Sequence, residues 1–220
     1  MDLVVDHVCA SFRSTDPQQR QPSQEQSEEA EYYESRMADD KTVIDYFMDN
    51  VARMGSRRFM TQPLGGGVDK VKYWTFDETL TEAKKMAGYI ESLNLPPKSQ
   101  IAICSKNCAW WVLADLAIWM SGHVSVPVFP TLTAENTRYI LEHSESKLLF
   151  IGKLDDHPWQ EMKTGIPPDL PTISFPLCPA NSAQKKWDDI IATATPIQQP
   201  AKRVLDEMAT IIYTSGSTGK

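Results

Sequence analysis

The chain has 220 residues, of which 41% are hydrophobic and 23% are charged, and its formal net charge is -7. This composition is ordinary for a soluble globular protein, and the acidic balance, with no basic stripe along the sequence, argues against a nucleic-acid-binding protein. The most apolar stretch, residues 109–120, contains an acid and is shorter than the roughly 20 apolar residues that cross a bilayer, so the sequence predicts no transmembrane helix.

The cysteine pattern indicates free thiols rather than a disulfide framework or a zinc site. The four cysteines are Cys9, Cys104, Cys108 and Cys178. Cys104 and Cys108 flank a predicted strand-to-helix turn, and no histidine or second cysteine pair accompanies them at ligand spacing. Free thiols are typical of reducing compartments, and residues 1–10 lack the basic and apolar regions of a signal peptide. We therefore predict a cytoplasmic protein and leave peripheral membrane attachment open.

Residues 1–36 form the first of two predicted regions, an acidic and polar tail. The tail contains eight acids against three arginines and few large apolar side chains. It cannot bury enough surface to offset the entropy lost on ordering, so we predict that it is disordered. The second region, residues 37–220, carries the structured pattern, and we advance the hypothesis that Met37 is the natural first residue.

Two helices and a hairpin are predicted early in the second region. Apolar side chains recur at helical spacing from Thr42 onwards, and residues 58–62 can form a short strand. The three glycines at 65–67 suit a hairpin turn, whereas a phosphate loop would need a helix start directly after them. Thr75 and Glu78 then form a capping box, which opens a long helix that ends before a Pro-Pro pair.

Short apolar strands then alternate with helices. Strands are predicted at residues 100–105, 124–129 and 147–151, with helices between them at residues 108–120 and 133–143. Asn107 and Thr133 are the expected N-caps of these helices. This alternation implies right-handed crossovers and a parallel sheet covered on both faces. The predicted fold class is therefore α/β, a mainly parallel sheet flanked by helices.

The proline-rich stretch that follows is predicted to be mostly irregular. Residues 155–180 contain six prolines, and a short strand is expected within them at residues 172–175. A brief helix is expected around Trp187 and Ile190. Residues 208–213 (MATIIY) are apolar enough for a final buried strand.

The tryptophans and histidines of the second region are interpreted as structural. A helix that is apolar nearly all round is typical of the core rather than of an acyl pocket, and it carries Trp110, Trp111 and Trp119. No carboxylate can be paired with any of the three histidines in this region, His123, His143 and His157. We therefore assign no catalytic residue, and the metal site is unknown.

The last seven residues carry the strongest functional signal. They directly follow the predicted final strand and are Thr214, Ser215, Gly216, Ser217, Thr218, Gly219 and Lys220. Successive N–H groups and hydroxyls in such a stretch can form a nest for a polyphosphate at the carboxyl end of a parallel sheet. The spacing fits neither a Walker A motif nor a G-x-G-x-x-G fingerprint. An exposed Ser/Gly linker is the alternative, but a linker rarely follows a buried strand without a break.

Residues 212–219 (IYTSGSTG) resemble the phosphate-binding signature of the adenylate-forming, or AMP-binding, enzymes, which reads Y-T-S-G-[ST]-T-G. Residues 122–131 resemble the G-x-V-x-V-P-[LIV]-[YF]-P-T stretch of the long-chain fatty acyl-CoA synthetases in particular. The Trp-Thr-Phe sequence at 74–76 resembles the family's entry to its first long helix. The resemblance extends from about residue 42 to residue 220.

This resemblance implies the N-terminal part of the large adenylation domain and a two-step ligase reaction. A carboxylate would attack the α-phosphorus of Mg-ATP to give acyl-adenylate and pyrophosphate, and the thiol of coenzyme A would then displace AMP. The residues that would bind the β and γ phosphates are Thr214, Ser215, Gly216, Ser217, Thr218 and Gly219. Lys220 stands at a variable position of the motif and receives no role. The implied small-molecule partners are a fatty acid, ATP with Mg²⁺, and coenzyme A.

On this resemblance the sequence stops within the phosphate loop, so we expect an incomplete N-terminal fragment that has no ligase activity alone. Adenylation of a carboxylate other than a fatty acid stays open. Two alternatives from other classes are a stand-alone nucleotide- or acyl-binding module and an interaction protein that acts through its acidic tail. Neither accounts for an apolar strand that runs into the phosphate-binding signature.

Overall fold

A computed structural model of the chain describes residues 41–67, 69–179 and 183–214. Residues 42–213 form one folding unit, and it is this unit that is described below. The predicted tail, residues 1–36, lies outside the described residues, and its disorder stays a prediction.

Capping boxes begin the two helices that come first in the chain. Helix α1, Val43–Met54, starts at Thr42, whose hydroxyl and backbone N–H both pair with Asp45. Helix α2, Phe76–Ser92, starts at Thr75, which pairs with Glu78 in the same way. Each box satisfies N–H groups that a helix start leaves unpaired, so both predicted helix starts are confirmed.

A two-stranded antiparallel hairpin lies between α1 and α2. Strand β1, Arg58–Pro63, matches the predicted strand, and it pairs with β2, Val71–Thr75, which the sequence analysis did not predict. Gly65 and Gly66 have φ values of 79° and 76° in the connecting turn. These values favour glycine, so the hairpin interpretation of the three glycines is confirmed.

The centre of the fold is a five-stranded parallel sheet with the strand order β4-β3-β5-β6-β7. Its strands are β3, Gln100–Cys104; β4, Val124–Val128; β5, Leu148–Ile151; β6, Thr172–Ser174; and β7, Lys185–Lys186. The connecting helices are α3, Ala109–Met120, after β3; α4, Ala134–His143, after β4; α5, Asp156–Met162, after β5; and α6, Trp187–Thr193, after β7. The predicted α/β class is confirmed.

Alternate side chains of the strands fill two separate cores, one on each face of the sheet. Ile101 and Ile103 of β3 pack with α1, α2, α3 and α6. Ala102 and Cys104, the residues between them, pack with α4 and α5. A period of two along a strand that is buried on both faces is characteristic of a parallel sheet.

The expectation of irregular structure at 155–180 is partly wrong, because α5 and a short 3₁₀ turn, Lys163–Gly165, lie within it. Pro158 falls in the first turn of α5, where its missing N–H is not needed by the helix. Trp159 and Met162 then turn into the core. The high proline content therefore led to the wrong prediction for α5. The strand expected at 172–175 is confirmed, because β6 lies within it.

The predicted cap of α3 is wrong. Asn107 is exposed, the N-cap position is Cys108, and the Cys108 side chain makes no capping bond. Instead, the N–H of Ala109 donates to Oε1 of Gln62 at 2.8 Å. Gln62 comes from the hairpin and is only 5% exposed, so the α3 start is satisfied by tertiary structure rather than by its own sequence.

The final segment, residues 208–213, is not the buried strand that was predicted. Thr210 forms an isolated parallel bridge with Ser125, whereas Met208 is 46% and Ile212 is 65% exposed. Ile211 and Tyr213 pack against the α4–α5 core. The segment lies beside β4 at the edge of the sheet, so only alternate side chains reach the core, and its hydrophobicity indicated more burial than an edge position provides.

Candidate phosphate-binding edge of the sheet

Of the predicted phosphate-binding residues, only Thr214 is among the described residues, and it is exposed. The other five lie outside the described residues: Ser215, Gly216, Ser217, Thr218 and Gly219. Their role stays a prediction. What the structure describes is the segment 208–213, which carries the chain to the start of this stretch.

Main-chain hydrogen bonds hold the segment parallel to β4. Ser125 N–H donates to the carbonyl of Ala209 at 3.0 Å, and Ile211 N–H donates to the carbonyl of Ser125 at 3.0 Å. The hydroxyls of Ser125 and Thr210 lie 3.1 Å apart. A parallel neighbour of β4 ends at the carboxyl edge of the sheet, where α/β proteins bind their ligands. The segment therefore ends, at Tyr213, on the side of the sheet suited to a ligand.

Two side chains support the beginning of the segment from outside the sheet. The indole N–H of Trp119 donates to the carbonyl of Ala209 at 2.9 Å. The guanidinium of Arg203 donates to the carbonyl of Met208 at 2.8 Å and to that of His123 at 3.2 Å. The Ala209 carbonyl thus accepts from both Ser125 N–H and the Trp119 indole, while the Met208 carbonyl lies outside the ladder with β4. Side chains therefore hold the start of the segment in addition to its short main-chain pairing.

The end of the segment is held by a contact between two aromatic side chains. Tyr213 Oη lies 2.7 Å from Nδ1 of His143, at the end of α4. Burial raises the pKa of the Tyr213 hydroxyl, Tyr139 raises it further, and the Ser144 hydroxyl opposes this. Tyr213 therefore stays protonated near neutral pH and can donate to or accept from the imidazole.

A largely apolar cavity of about 470 Å³ opens at the same edge, beyond the ends of β3 and β4. Its lining consists of Ser105, Lys106, Asn107, Trp111, Pro127, Val128, Phe129, Pro130 and Ile212. Lys106, the charged residue among them, is paired with Asp155. A pocket with apolar walls and few polar groups suits an organic ligand better than a free anion.

Gly152 allows the ends of β3 and β5 to approach at this edge. A Cβ at Gly152 would lie 2.2 Å from Oγ of Ser105. That hydroxyl accepts from Lys153 N–H at 2.9 Å and donates to the carbonyl of Lys106 at 2.6 Å. These bonds fix the loop after β3 to the loop after β5. Ser105 and Lys106, which line the cavity, are therefore held in place.

An acid lies half-buried on α3, close to Ser125. Asp115 accepts a hydrogen bond from the indole N–H of Trp111 at 3.0 Å, while its second oxygen is buried and makes no hydrogen bond of acceptable geometry to any described residue. Burial raises the pKa of Asp115 to about 6, against the opposing effects of the Ser125 hydroxyl and the Trp111 indole. The group can therefore change its charge close to physiological pH.

The tryptophans assigned to the core divide into two groups. Trp110 is 1% exposed and meets Trp74 edge to face at 5.4 Å, as expected of a core residue. Trp111 and Trp119 are partly buried and pack against the same core, and Trp111 also lines the cavity. The core assignment is thus confirmed completely for Trp110 and in part for the other two.

The three histidines occupy different environments. His123 is 5% exposed, its Nδ1 has no hydrogen-bond partner in the described part of the chain, and burial lowers its pKa with a further contribution from Arg203. His157 is exposed on α5. His143 alone contacts the segment that leads to the predicted loop. Sequence patterns could not reveal this contact, because 70 residues separate the two partners.

No metal or membrane feature is found in the described part of the chain. Within residues 41–67, 69–179 and 183–214, no group of three or more His, Cys, Asp or Glu side chains could hold a metal ion. No helix in those ranges is long and apolar enough to cross a bilayer.

Several proteins named as ligases or synthetases are similar to this chain in sequence. FadD15 of Mycobacterium bovis, a long-chain-fatty-acid–CoA ligase, is 31% identical over 157 residues, which cover 67% of this chain and 26% of that protein. Long chain acyl-CoA synthetase 2 of Arabidopsis thaliana is 24% identical over 240 residues, covering 100% and 36%. The 2-succinylbenzoate–CoA ligase of Bacillus licheniformis is 31% identical over 148 residues, covering 66% and 27%. The chain thus spans about a quarter to a third of the length of these relatives.

Solved structures of CoA ligases share the fold. A benzoate CoA ligase from Burkholderia xenovorans matches with a TM-score of 0.61 at 17% identity, over 76% of this chain and 31% of that one. The anthranilate CoA ligase AuaEII, in complex with anthranoyl-AMP, matches with a TM-score of 0.66 at 15% identity, over 81% and 32%. The family model described as AMP-binding enzyme matches residues 47–220. Because that match covers well over half of the sequence, the chain belongs to the AMP-binding enzyme family.

Proposed function

We propose that this chain supplies the phosphate loop, and the segment that positions it, to an ATP-dependent ligase that converts a carboxylic acid to its coenzyme A thioester. The observation that carries the proposal is the position of residues 208–213. They lie parallel to β4 and end at the carboxyl edge of the sheet, and the next residue in the chain begins the Thr-Ser-Gly-Ser-Thr-Gly signature.

The proposed reaction has two steps. A substrate carboxylate oxygen attacks the α-phosphorus of ATP, the bond to the bridging oxygen breaks, and pyrophosphate leaves. The thiol of coenzyme A then attacks the acyl carbon, and AMP leaves. N–H and hydroxyl groups of residues 214–219 would bind the β and γ phosphates, where negative charge increases as pyrophosphate departs. ATP would enter as its magnesium complex.

We propose a long-chain fatty acid as the substrate. The Val-Pro-Val-Phe-Pro-Thr stretch at 126–131 and the similarity to FadD15 and to long chain acyl-CoA synthetase 2 support this choice. The apolar cavity beyond β3 and β4 is compatible with it. An aromatic acid is the second candidate, because 2-succinylbenzoate–CoA ligase and FadD15 are each 31% identical to this chain.

Pyrophosphate release separates these substrates. The protein as the cell makes it would be given Mg-ATP with palmitate, benzoate or 2-succinylbenzoate in parallel. Release that depends on palmitate is expected. Release that depends only on an aromatic acid would assign the second candidate, and no carboxylate-dependent release would contradict the ligase proposal.

Nucleotide binding tests the loop itself. We expect the 220-residue chain to bind Mg-ATP in calorimetry and to release no pyrophosphate. Thr218→Val keeps the shape of the side chain but removes a hydroxyl, so affinity should fall roughly tenfold or more, as for a lost hydrogen bond to a charged group. Thr195→Val makes the same change at an exposed position and should leave the affinity unchanged. Equal affinities in both variants would contradict the assignment of the loop.

A cytoplasmic location follows as part of the proposal. Cys104, Cys108 and Cys178 are free thiols, as in proteins of reducing compartments. Peripheral contact with a membrane fits a fatty-acid substrate, since such acids partition into bilayers. Cosedimentation of the natural protein with phospholipid vesicles would measure that contact.

A further inference from the structure

The imidazole that contacts Tyr213 lies on a fixed turn of the fold. Helix α4 starts at Thr133, whose hydroxyl accepts from Asn136 N–H at 3.2 Å. At its other end Ser144 N–H donates to the carbonyl of Ile140 at 2.9 Å, and Ile140 is buried in the α4–α5 core. The helix is therefore capped at its start and packed against the core near its end. These contacts restrict the backbone of His143, its last residue.

The rings on both sides of the contact are also held. Tyr139, one helical turn before His143, stacks on the imidazole with ring centroids 5.3 Å apart. Tyr213 meets the imidazole edge to face at 5.7 Å and packs against the α4–α5 core. The imidazole is exposed, but its stacking on Tyr139 already restricts it, so the 2.7 Å bond to Tyr213 costs less rotamer entropy than a bond between two free side chains.

This contact lies beyond the last main-chain bond between the segment and β4. Among the described residues that bond is Ile211 N–H to the Ser125 carbonyl. Tyr213 follows two residues later and directly precedes the phosphate-loop signature. Among the described residues, the His143–Tyr213 bond is therefore the last side-chain hydrogen bond of the segment before the signature.

We propose that His143 is a positioning residue for the phosphate loop and that it acts through Tyr213. The inference rests on the proposed function, since it assigns to His143 the fixing of a loop that would hold ATP. Donors that are already in place bind a phosphate without a further ordering cost. The imidazole can accept a hydrogen bond from the phenol or donate one to it, according to its tautomer.

Two measurements on the purified 220-residue chain test this role. The first is hydrogen exchange of the Ile211 amide by NMR, with the Leu149 amide, which donates to the Pro171 carbonyl in the interior of the sheet, as internal reference. The second is the dissociation constant of Mg-ATP. In His143→Phe we expect Ile211 exchange to be about threefold to tenfold faster and the dissociation constant to rise by a similar factor, as for one lost hydrogen bond. Leu149 exchange should not change.

Further variants distinguish positioning of the loop by His143 from a general loss of stability of the fold. His143→Asn keeps a hydrogen-bonding group near the place of Nδ1 and should restore most of both values. Tyr213→Phe should match His143→Phe, and the double variant should be no worse than either, because both remove one bond. His157→Phe makes the same change on an exposed part of α5 and should have no effect.

Each outcome decides the inference. Unchanged Ile211 exchange in His143→Phe would overturn the anchoring role. Faster exchange with an unchanged affinity for Mg-ATP would overturn the positioning role and leave a purely structural contact. A wild-type chain that binds no Mg-ATP would instead contradict the proposed function, and the inference would fall with it.

Discussion

Trp187 donates its indole N–H to Oε1 of Glu82 at 2.7 Å, which joins α6 to α2 across 105 residues of sequence. The second oxygen of Glu82 accepts from the indole of Trp74, also at 2.7 Å. Both tryptophans are almost completely buried. One carboxylate thus satisfies two buried donors from opposite ends of the unit, and Lys72 lies 3.7 Å away as a partial counter-charge.

Replacement of Glu82 by alanine should destabilise the unit strongly. Two buried indole N–H groups would lose their acceptor, and each unsatisfied buried donor costs about 1–3 kcal/mol. We expect the free energy of unfolding, measured by urea titration, to fall by roughly 2–4 kcal/mol. Glu82→Gln keeps one good acceptor and should lose about half as much. Glu145→Ala, an exposed control, should change stability little; an equal loss there would contradict the role of Glu82.

The start of α3 provides a second matched pair. Gln62→Ala should remove the acceptor for Ala109 N–H, a buried bond, and should lower the free energy of unfolding by about 1–2 kcal/mol. Asn107→Ala, at the position that the sequence marks as the cap, should be close to neutral because Asn107 is exposed. Urea titration of both variants measures this. A larger loss of unfolding free energy in Asn107→Ala than in Gln62→Ala would show that Asn107 is the N-cap, as the sequence predicted.

Local signals explain which features could be predicted. Thr42 with Asp45 and Thr75 with Glu78 start helices through residues three positions apart, and the strand–helix alternation implies a parallel sheet by itself. Gln62 caps a helix 47 residues away, and His143 meets Tyr213 across 70 residues. Such long-range contacts form only in the tertiary structure, so composition and local residue spacing cannot predict them.

The candidate site was predicted in outline only. The phosphate-binding signature is a contiguous motif and can be recognised directly in the sequence. The burial of residues 208–213 was overestimated, because hydrophobicity does not distinguish a strand at the edge of a sheet from one at its centre. Asp115 was visible as a single acid in an apolar helix, but its raised pKa follows from burial that only the packing of α3 against β4 creates. Trp111 packs against the core as predicted, but periodicity could not reveal that it also borders a cavity.

Asp115 should make the stability of the protein depend on pH. Its pKa is about 6 in the folded state against an ordinary value of 3.8, so the folded state binds the proton more tightly. The stabilising contribution is complete below pH 4 and is lost as the pH rises through 6. Relative to Asp115→Asn, the wild-type free energy of unfolding should fall by roughly 2–3 kcal/mol between pH 4 and pH 7.

Urea titrations of both proteins across this pH range measure the difference. Asp156→Asn removes an exposed acid and should give a curve parallel to that of the wild type. Parallel curves for wild type and Asp115→Asn would show that the carboxyl is not desolvated in solution.

Gly88 on α2 should not tolerate alanine, although alanine is the better helix former. A Cβ at Gly88 would lie 2.0 Å from the carbonyl oxygen of Thr195. That backbone is held in place, because Ile197 N–H donates to the carbonyl of Lys84 at 3.1 Å and Lys84 Nζ donates to the carbonyl of Gln198 at 2.7 Å. The loop after α6 therefore cannot move away without breaking these bonds.

The overlap should outweigh the gain in helix propensity. Alanine gains about 1 kcal/mol over glycine inside a helix, whereas forced overpacking against fixed backbone costs about 1–3 kcal/mol or more. We expect Gly88→Ala to lower the free energy of unfolding by roughly 1–2 kcal/mol. Ser92→Ala, on the exposed face of the same helix, should be neutral or slightly stabilising. Stabilisation by Gly88→Ala in urea titration would mean that residues 195–198 do not pack against α2 as closely as this geometry requires.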